Sequence, residues 1–179
     1  MKGIVAVDKN WGIGKNNDLL FSLPADMAYF REHTKGKVVV MGSKTLKSFP
    51  NAKPLKNRVN IVFHRGNENY EGCIIVKDMC ELNKVLKQYN TDDVFVIGGA
   101  KIYKMLLNYC DEFLITKVDA DGGAEVFFEN LDKLDNDGER KLYANDTIIV
   151  RCRYYEEQKL IKQMQSLVGE KYKIKKLDM

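Results

Sequence analysis

The chain is predicted to form an α/β domain, a mainly parallel sheet wrapped by helices, and three observations predict it. Short apolar runs suited to strands buried on both faces recur at 3–7, 37–42, 58–63, 94–97 and 112–118. Segments with helical spacing alternate with them. Glycines stand where several of these strands turn into helices, as in Met41-Gly42-Ser43 and Ile97-Gly98-Gly99-Ala100.

In order along the chain, 3–7 is the first strand, and 8–14 is rich in turn residues and holds the only tryptophan, Trp11. The stretch from Asp8 to about Leu23 is long for a plain connection. Long loops in compact domains are often lids, and this one is read as a segment that closes over a ligand. Pro24 suits the first turn of a helix, where its missing N–H costs nothing, and Met27, Phe30 and Thr34 follow at helical spacing. Asp26 lies in that first turn, four residues before Phe30, so the acid shares a face with an aromatic ring. The ordinary use of an acid there is to support the helix N-terminus through the macrodipole. Lys35-Gly36 supplies the stop.

The second strand, 37–42, runs into Ser43-Lys44-Thr45. Glycine, hydroxyls and a lysine at a strand-to-helix junction suit an anion, although alone the signal is weak. Residues 51–57 form a turn region, 58–63 the third strand, and His64-Arg65-Gly66 offers two side chains that bind phosphate. Residues 74–77 read as a strand, and 79–88 as a helix with Leu82, Val85 and Leu86 inward. In 92–103 a buried strand ends in Gly98-Gly99 and a helix follows. Paired glycines let backbone approach a ligand, and equally serve a tight turn. A further strand covers 110–118, and Gly122-Gly123 leads to the aromatic pair Phe127-Phe128.

Composition bounds the rest. The chain has 179 residues, 45% hydrophobic and 30% charged, which fits one domain with a sizeable core. No apolar run reaches the ~18 residues of a membrane span, and no signal-peptide core follows Met1-Lys2, so the expected compartment is the cytoplasm. Cys73, Cys80, Cys110 and Cys152 form no CxxC pair and are read as reduced packing residues. With two histidines a His-rich metal site is excluded and no metal is expected. Residues 151–179 hold eight Lys/Arg against four Asp/Glu, a surplus equal to the whole-chain net charge of +4. Basic and aromatic residues do not interleave there as a stacking surface requires, so a solvated basic end is the reading and no nucleic acid is expected.

Together, Ile4-Val5-Ala6-Val7, Gly12-Ile13-Gly14, Leu23-Pro24-Ala25-Asp26 and the Gly98-Gly99 turn resemble the dihydrofolate reductases, over residues 1 to about 130 in order and spacing. The resemblance implies a mostly parallel sheet closed by an antiparallel C-terminal hairpin, with the pocket between its halves. It implies reduction of 7,8-dihydrofolate to tetrahydrofolate by hydride from NADPH. Asp26 would be the one ionisable side chain in the pterin pocket, with Leu19, Phe21 and Thr116 beside the chemistry. Ile4, Val5, Ala6, Met27, Phe30, Phe49, Leu55, Ile97 and Tyr103 match the rest of the substrate pocket, and Arg58 the partner of the substrate's glutamate carboxylate. Cofactor positions match Ala6, Ile13, Gly14, Gly42, Ser43, Lys44, Thr45, Phe63, His64, Arg65, Lys77, Gly98, Gly99, Ala100, Lys101 and Ile102, with a cis peptide between the glycines. Antifolate inhibitors would share the pocket, and a monomer is expected.

The chain departs from the family pattern at Phe21, where tryptophan is common, at Leu20 and Glu129, where proline is usual, and at Ser43-Lys44, where the pair is more basic. The C-terminal part leaves two readings. A strand-like run covers 147–155 and 159–168 looks helical. Either 171–177 is the last strand of the hairpin after an insertion, or the hairpin ends near Glu156 and 156–179 is a basic extension of the single domain 1–179. Two other functions stay open. A related pyrimidine reductase of riboflavin synthesis would lack the Asp26 acid and the Arg58 anchor. A non-catalytic nucleotide- or RNA-binding protein would not oxidise the cofactor.

Overall fold

In the computed structural model, residues 1–131, 149–155 and 175–176 are described. The main sheet is built from β1 (Lys2–Val7), β4 (Val38–Gly42), β5 (Val59–Phe63), β6 (Cys73–Val76), β7 (Val94–Gly98), β8 (Glu112–Val118), β10 (Ile149–Tyr155) and β11 (Lys175–Lys176). Its order is β11-β10-β8-β1-β7-β4-β5-β6. All neighbours run parallel except β10 and β11, which pair antiparallel through Arg153 with Lys176 and Tyr154 with Lys175. The antiparallel closure at the C-terminal edge is therefore a single pairing, because β10 itself lies parallel to β8. The helix-like run 159–168 lies outside the described residues.

Burial on both faces explains why the central strands β4 and β7 carry β-branched residues without polar alternation. In β4, Val39, Val40 and Met41 are fully buried. Val38 and Val40 join Val94, Val96, Leu82 and Leu106 on the side covered by α3 (Met79–Leu86) and α4 (Ala100–Leu106). Val39 and Met41 join Leu46 and Val62 on the other. That side carries α2 (Ser43–Ser48) and α1 (Pro24–Thr34), whose Tyr29 and Phe30 pack on Ile4, Phe95 and Leu114. Pro24 occupies the first turn of α1, and Gly36, at φ 76°, takes the left-handed conformation just past its end. At α3, Asp78 accepts from the Glu81 backbone N–H at 2.9 Å, while Glu81 accepts from the Lys77 N–H at 2.8 Å, a reciprocal cap.

The expected loop 8–23 contains a hairpin. Strands β2 (Gly12–Lys15) and β3 (Asp18–Leu19) pair antiparallel, and β9 (Val126–Phe127) joins β2 to make a second, three-stranded sheet. The reason is the two-residue turn Asn16-Asn17, with φ of 51° and 60°. Asparagine tolerates that conformation, and two positive φ values give the twist a tight hairpin needs.

The sheet parts at β1 and β7. These strands pair at Lys2 with Phe95 and Gly3 with Val96, whereas β1 follows β8 from Lys2 through Val7. A cleft thus opens beside β1 toward the strands' C-terminal ends, where parallel sheets bind ligands. Gly3 is the pivot: a Cβ there would lie 2.1 Å from the fully buried Phe113 ring. Gly3→Ala is expected to destabilise the fold by about 1–3 kcal/mol through overpacking, read by urea unfolding. An unchanged midpoint would show that Phe113 has room to move.

Candidate active site

Asp26 projects from the first turn of α1 to β8, where the Thr116 hydroxyl donates to its Oδ1 at 2.6 Å. Thr116 is buried and stands beside Ala6, its partner in register. A hydroxyl that donates to an acid fixes the orientation of one of its oxygens. Around this pair the surface is apolar: Phe30 and Ile97 flank Ile4 and Leu114, and Phe49 and Leu55 pack with Ile97 on the next strands. Tyr103 is buried across the parting of the sheet, and its hydroxyl donates to the Ile4 carbonyl at 2.7 Å. Burial drives that phenol's pKa far above the ordinary range, so it stays a donor.

At the outer end of the cleft Arg58 is held by neutral oxygens. Its Nε donates to Thr34 Oγ1 at 2.9 Å and Nη1 to the Lys56 carbonyl at 2.7 Å, and the guanidinium lies 5.8 Å from the Phe30 ring centroid. Among the described residues no carboxylate forms an ion pair with it. Burial, then the nearby Arg31 charge, pull its pKa below the usual value. A pre-oriented cation without an internal acid suits an incoming carboxylate.

The residues matched to the cofactor come together along one edge. Gly42 to Thr45 follow β4, Phe63 to Arg65 end β5, Lys77 follows β6 and Gly98 to Ile102 end β7, four adjacent parallel strands. The glycines there are needed bare. A Cβ on Gly42 would come 3.2 Å from Ile102, one on Gly98 3.3 Å from Tyr103, and one on Gly99 3.3 Å from Thr45 Oγ1. The Gly98–Gly99 peptide is cis. Neither α2 nor α4 has a side-chain cap, and in α4 the N–H groups of Ile102 and Tyr103 both donate to the Gly99 carbonyl, at 2.8 and 3.0 Å. A dinucleotide with phosphates fits such an edge: bare backbone near its centre and the cations Lys44, Arg65, Lys77 and Lys101 exposed around it.

The second sheet is tied to the first by Asp8. This carboxylate is 2% exposed; its Oδ1 accepts from the N–H of Asn10 at 2.8 Å and of Gly12 at 2.7 Å, and its Oδ2 from that of Gly122 at 3.1 Å. Glu125 adds an acceptor for the Asn16 N–H at 3.2 Å. Below the hairpin, Phe128 contacts Trp11, Tyr103 and Phe113, with centroids 6.1, 5.0 and 5.5 Å apart.

The sequence profile described as dihydrofolate reductase matches residues 1–154. The chain belongs to the dihydrofolate reductase family. It is 36% identical over 131 residues to a dihydrofolate reductase of Bacillus subtilis, covering 73% of this chain and 76% of that one. It is 38% identical over 128 residues to one of Haemophilus influenzae, covering 72% and 78%. A dihydrofolate reductase structure from Enterococcus faecalis, complexed with NADP(H) and RAB-propyl, superposes with a TM-score of 0.67 at 29% identity, covering 73% of this chain and 77% of that chain.

Within this dihydrofolate reductase fold the predicted site residues do not all converge. Leu19 lies in β3 with 63% of its surface exposed, and Met27 points outward from α1 at 36%. Phe21 instead packs with Leu23 and Val118. Residues not singled out from the sequence are Asp8, Lys47, Glu68 and Tyr70. Asp8 followed by Asn10 and Gly12 carries an Asx-turn signal, while Lys47, Glu68 and Tyr70 meet only through the fold. Asp8→Ala would leave three amide groups without an acceptor. It is expected to cost about 2 kcal/mol or more and to speed amide exchange at Gly12 and Gly122. Unchanged exchange at both would show that Asp8 does not hold the lid to the sheet.

Proposed function

We propose that the chain reduces 7,8-dihydrofolate to tetrahydrofolate with NADPH, and that Asp26 is the acid on which turnover depends. The observation that carries this is the Thr116–Asp26 hydrogen bond inside an apolar cleft beside a glycine-bare strand edge. Bound along that edge, NADPH supplies a hydride for C6 of the pterin, while N5 takes a proton through water. Asp26 accepts from the pterin's amino and ring N–H groups, and Thr116 keeps its carboxylate turned to them. A fixed charge beside the ring raises the basicity of N5 at no cost in reorganisation. Ile4, Ala6, Phe30, Phe49, Leu55 and Ile97 supply apolar walls, whereas the Val5 side chain faces the core under α3 and α4, and Arg58 holds the glutamate carboxylate.

The β2–β3 hairpin, held by Asp8 and Glu125, excludes bulk water from the site. Gly42, Ser43, Lys44, Thr45, Phe63, His64, Arg65, Lys77, Gly98, Gly99, Ala100, Lys101 and Ile102 line the cofactor's path, with Ala6 on β1 and Ile13 and Gly14 in the lid hairpin. Antifolates compete for the Asp26 cleft. We infer likewise a single domain over 1–179 working as a cytoplasmic monomer without nucleic acid. Among the described residues no helix is long and apolar enough to cross a membrane, which supports that reading.

A fall in NADPH absorbance on adding dihydrofolate tests the activity. Asp26→Asn is expected to lower hydride transfer on the order of 10²-fold at neutral pH and to change its pH profile. A loss well under tenfold with the profile intact would remove Asp26 from this role. Arg65, exposed at the end of β5, is expected to pair with the cofactor's 2′-phosphate in forked geometry. Arg65→Ala should weaken NADPH binding and leave NADH nearly unaffected, whereas equal losses would contradict the assignment.

A further inference from the structure

Beside Arg65, three donors from separate elements converge on one oxygen. Glu68 Oε2 lies 3.0 Å from Lys47 Nζ, accepts from the Tyr70 hydroxyl, and stands 3.7 Å from His64 Nε2. Lys47 comes from the last turn of α2, His64 from the end of β5, and Tyr70 from the connection to β6. The Tyr70 ring meets the imidazole edge-on at 5.5 Å, and the Lys47 ammonium lies 5.7 Å from the Tyr70 centroid. A lysine, a phenol and an imidazole around one point form an anion site. Here the anion is supplied by the chain.

The fit is incomplete at His64. Its Nε2 is sealed from solvent yet has no hydrogen-bond partner, since 3.7 Å is too long for one. The turn itself does the sealing: a Cβ on Gly66 would lie 2.5 Å from Nε2. A buried ring nitrogen left unsatisfied is unfavourable, and a larger anion with more oxygens would satisfy it and Lys47 together. The Tyr70 hydroxyl first, and then Lys47, hold the Glu68 carboxyl below the usual carboxylate range, so it remains an anion and a competitor at neutral pH.

We propose that Lys47, His64 and Tyr70 form a phosphate-monoester subsite whose occupant in the free protein is Glu68, so that Glu68 sets the preference between NADPH and NADH. This rests on the reading of the β5 end as the cofactor's 2′-phosphate site. Opening the turn that carries Gly66 and Glu68 exchanges an internal carboxylate for the dianionic phosphate. NADH brings no such group and gains nothing from the exchange. Glu68 is then a group that a cofactor bearing a phosphate monoester must displace, and Lys47 is the cation it releases to that phosphate.

The test measures dissociation constants of NADPH, NADH and inorganic phosphate by calorimetry on the full chain, for the parent, Glu68→Gln and the double variant Glu68→Gln/Lys47→Ala. Glu68 is exposed, and the Gln side chain keeps its size. Glu68→Gln should tighten NADPH about two- to fivefold and leave NADH unchanged, the range of an exposed ion pair, with less effect at high salt. Adding Lys47→Ala should cancel the gain. The proposal is overturned if both cofactors shift alike, if NADPH binding is unchanged or weaker, even where inorganic phosphate tightens, or if the gain survives loss of Lys47. A parent protein that oxidises no NADPH with dihydrofolate would instead overturn the functional reading.

Discussion

The hydrogen bond from the Tyr103 hydroxyl to the Ile4 carbonyl is the constraint on which the site depends. Where β7 turns away from β1, the β1 backbone loses a ladder partner, and a carbonyl left bare among apolar side chains would be costly. Tyr103 replaces the missing strand with one hydroxyl, brought by α4 immediately after the Gly98–Gly99 turn. The sheet can therefore open without leaving its edge unsatisfied. The opening, the buried tyrosine and the bare glycines are one solution: Gly98 takes a φ of 122°, which side chains rarely adopt, and a Cβ there would press on the Tyr103 ring at 3.3 Å.

Around the cleft the protein separates rigid from adjustable parts. Asp26 and Thr116 sit on a helix and on a strand paired along its whole length with β1, so their separation is set by the core. The lid hangs from a short antiparallel sheet and one buried carboxylate, Asp8, whose partners are the backbone amides of Asn10 and Gly122 in loops and of Gly12 at the start of β2. The Phe128 ring, packed against Trp11, Tyr103 and Phe113, carries contact from the lid to the floor of the cleft. Chemistry thus rests on the stiffest elements and access on the softest.

Strands such as β4 and β7 were legible because each is a continuous apolar run buried on both faces, and Asp26 because a carboxyl on the aromatic face of a helix is unusual. What the sequence hid is of two kinds. The β2–β3 hairpin was written in Lys15-Asn16-Asn17-Asp18, a two-asparagine turn between short segments lacking clear alternation, and position in a long connection outweighed it. Leu19 and Met27 were assigned to the pocket by position, yet both side chains meet solvent, because β3 is an edge strand and α1 turns a mixed face inward. The grouping of Lys47, His64, Glu68 and Tyr70 had no local signature at all, since it exists only once α2 is laid against the β5–β6 connection.

The place of β1 in the sheet also governs how the molecule is made. Its neighbours are β7 and β8, whose paired residues begin near 95 and 112, so β1 is synthesised long before either strand that encloses it. At ordinary synthesis rates the wait is on the order of ten seconds. Throughout it, Ile4-Val5-Ala6-Val7 is an apolar strand with both edges unpaired, the kind of segment that seeks other chains. The segment that walls the substrate cleft is thus also the nascent chain's most exposed aggregation hazard, and the demand for chaperone protection falls before the central sheet exists.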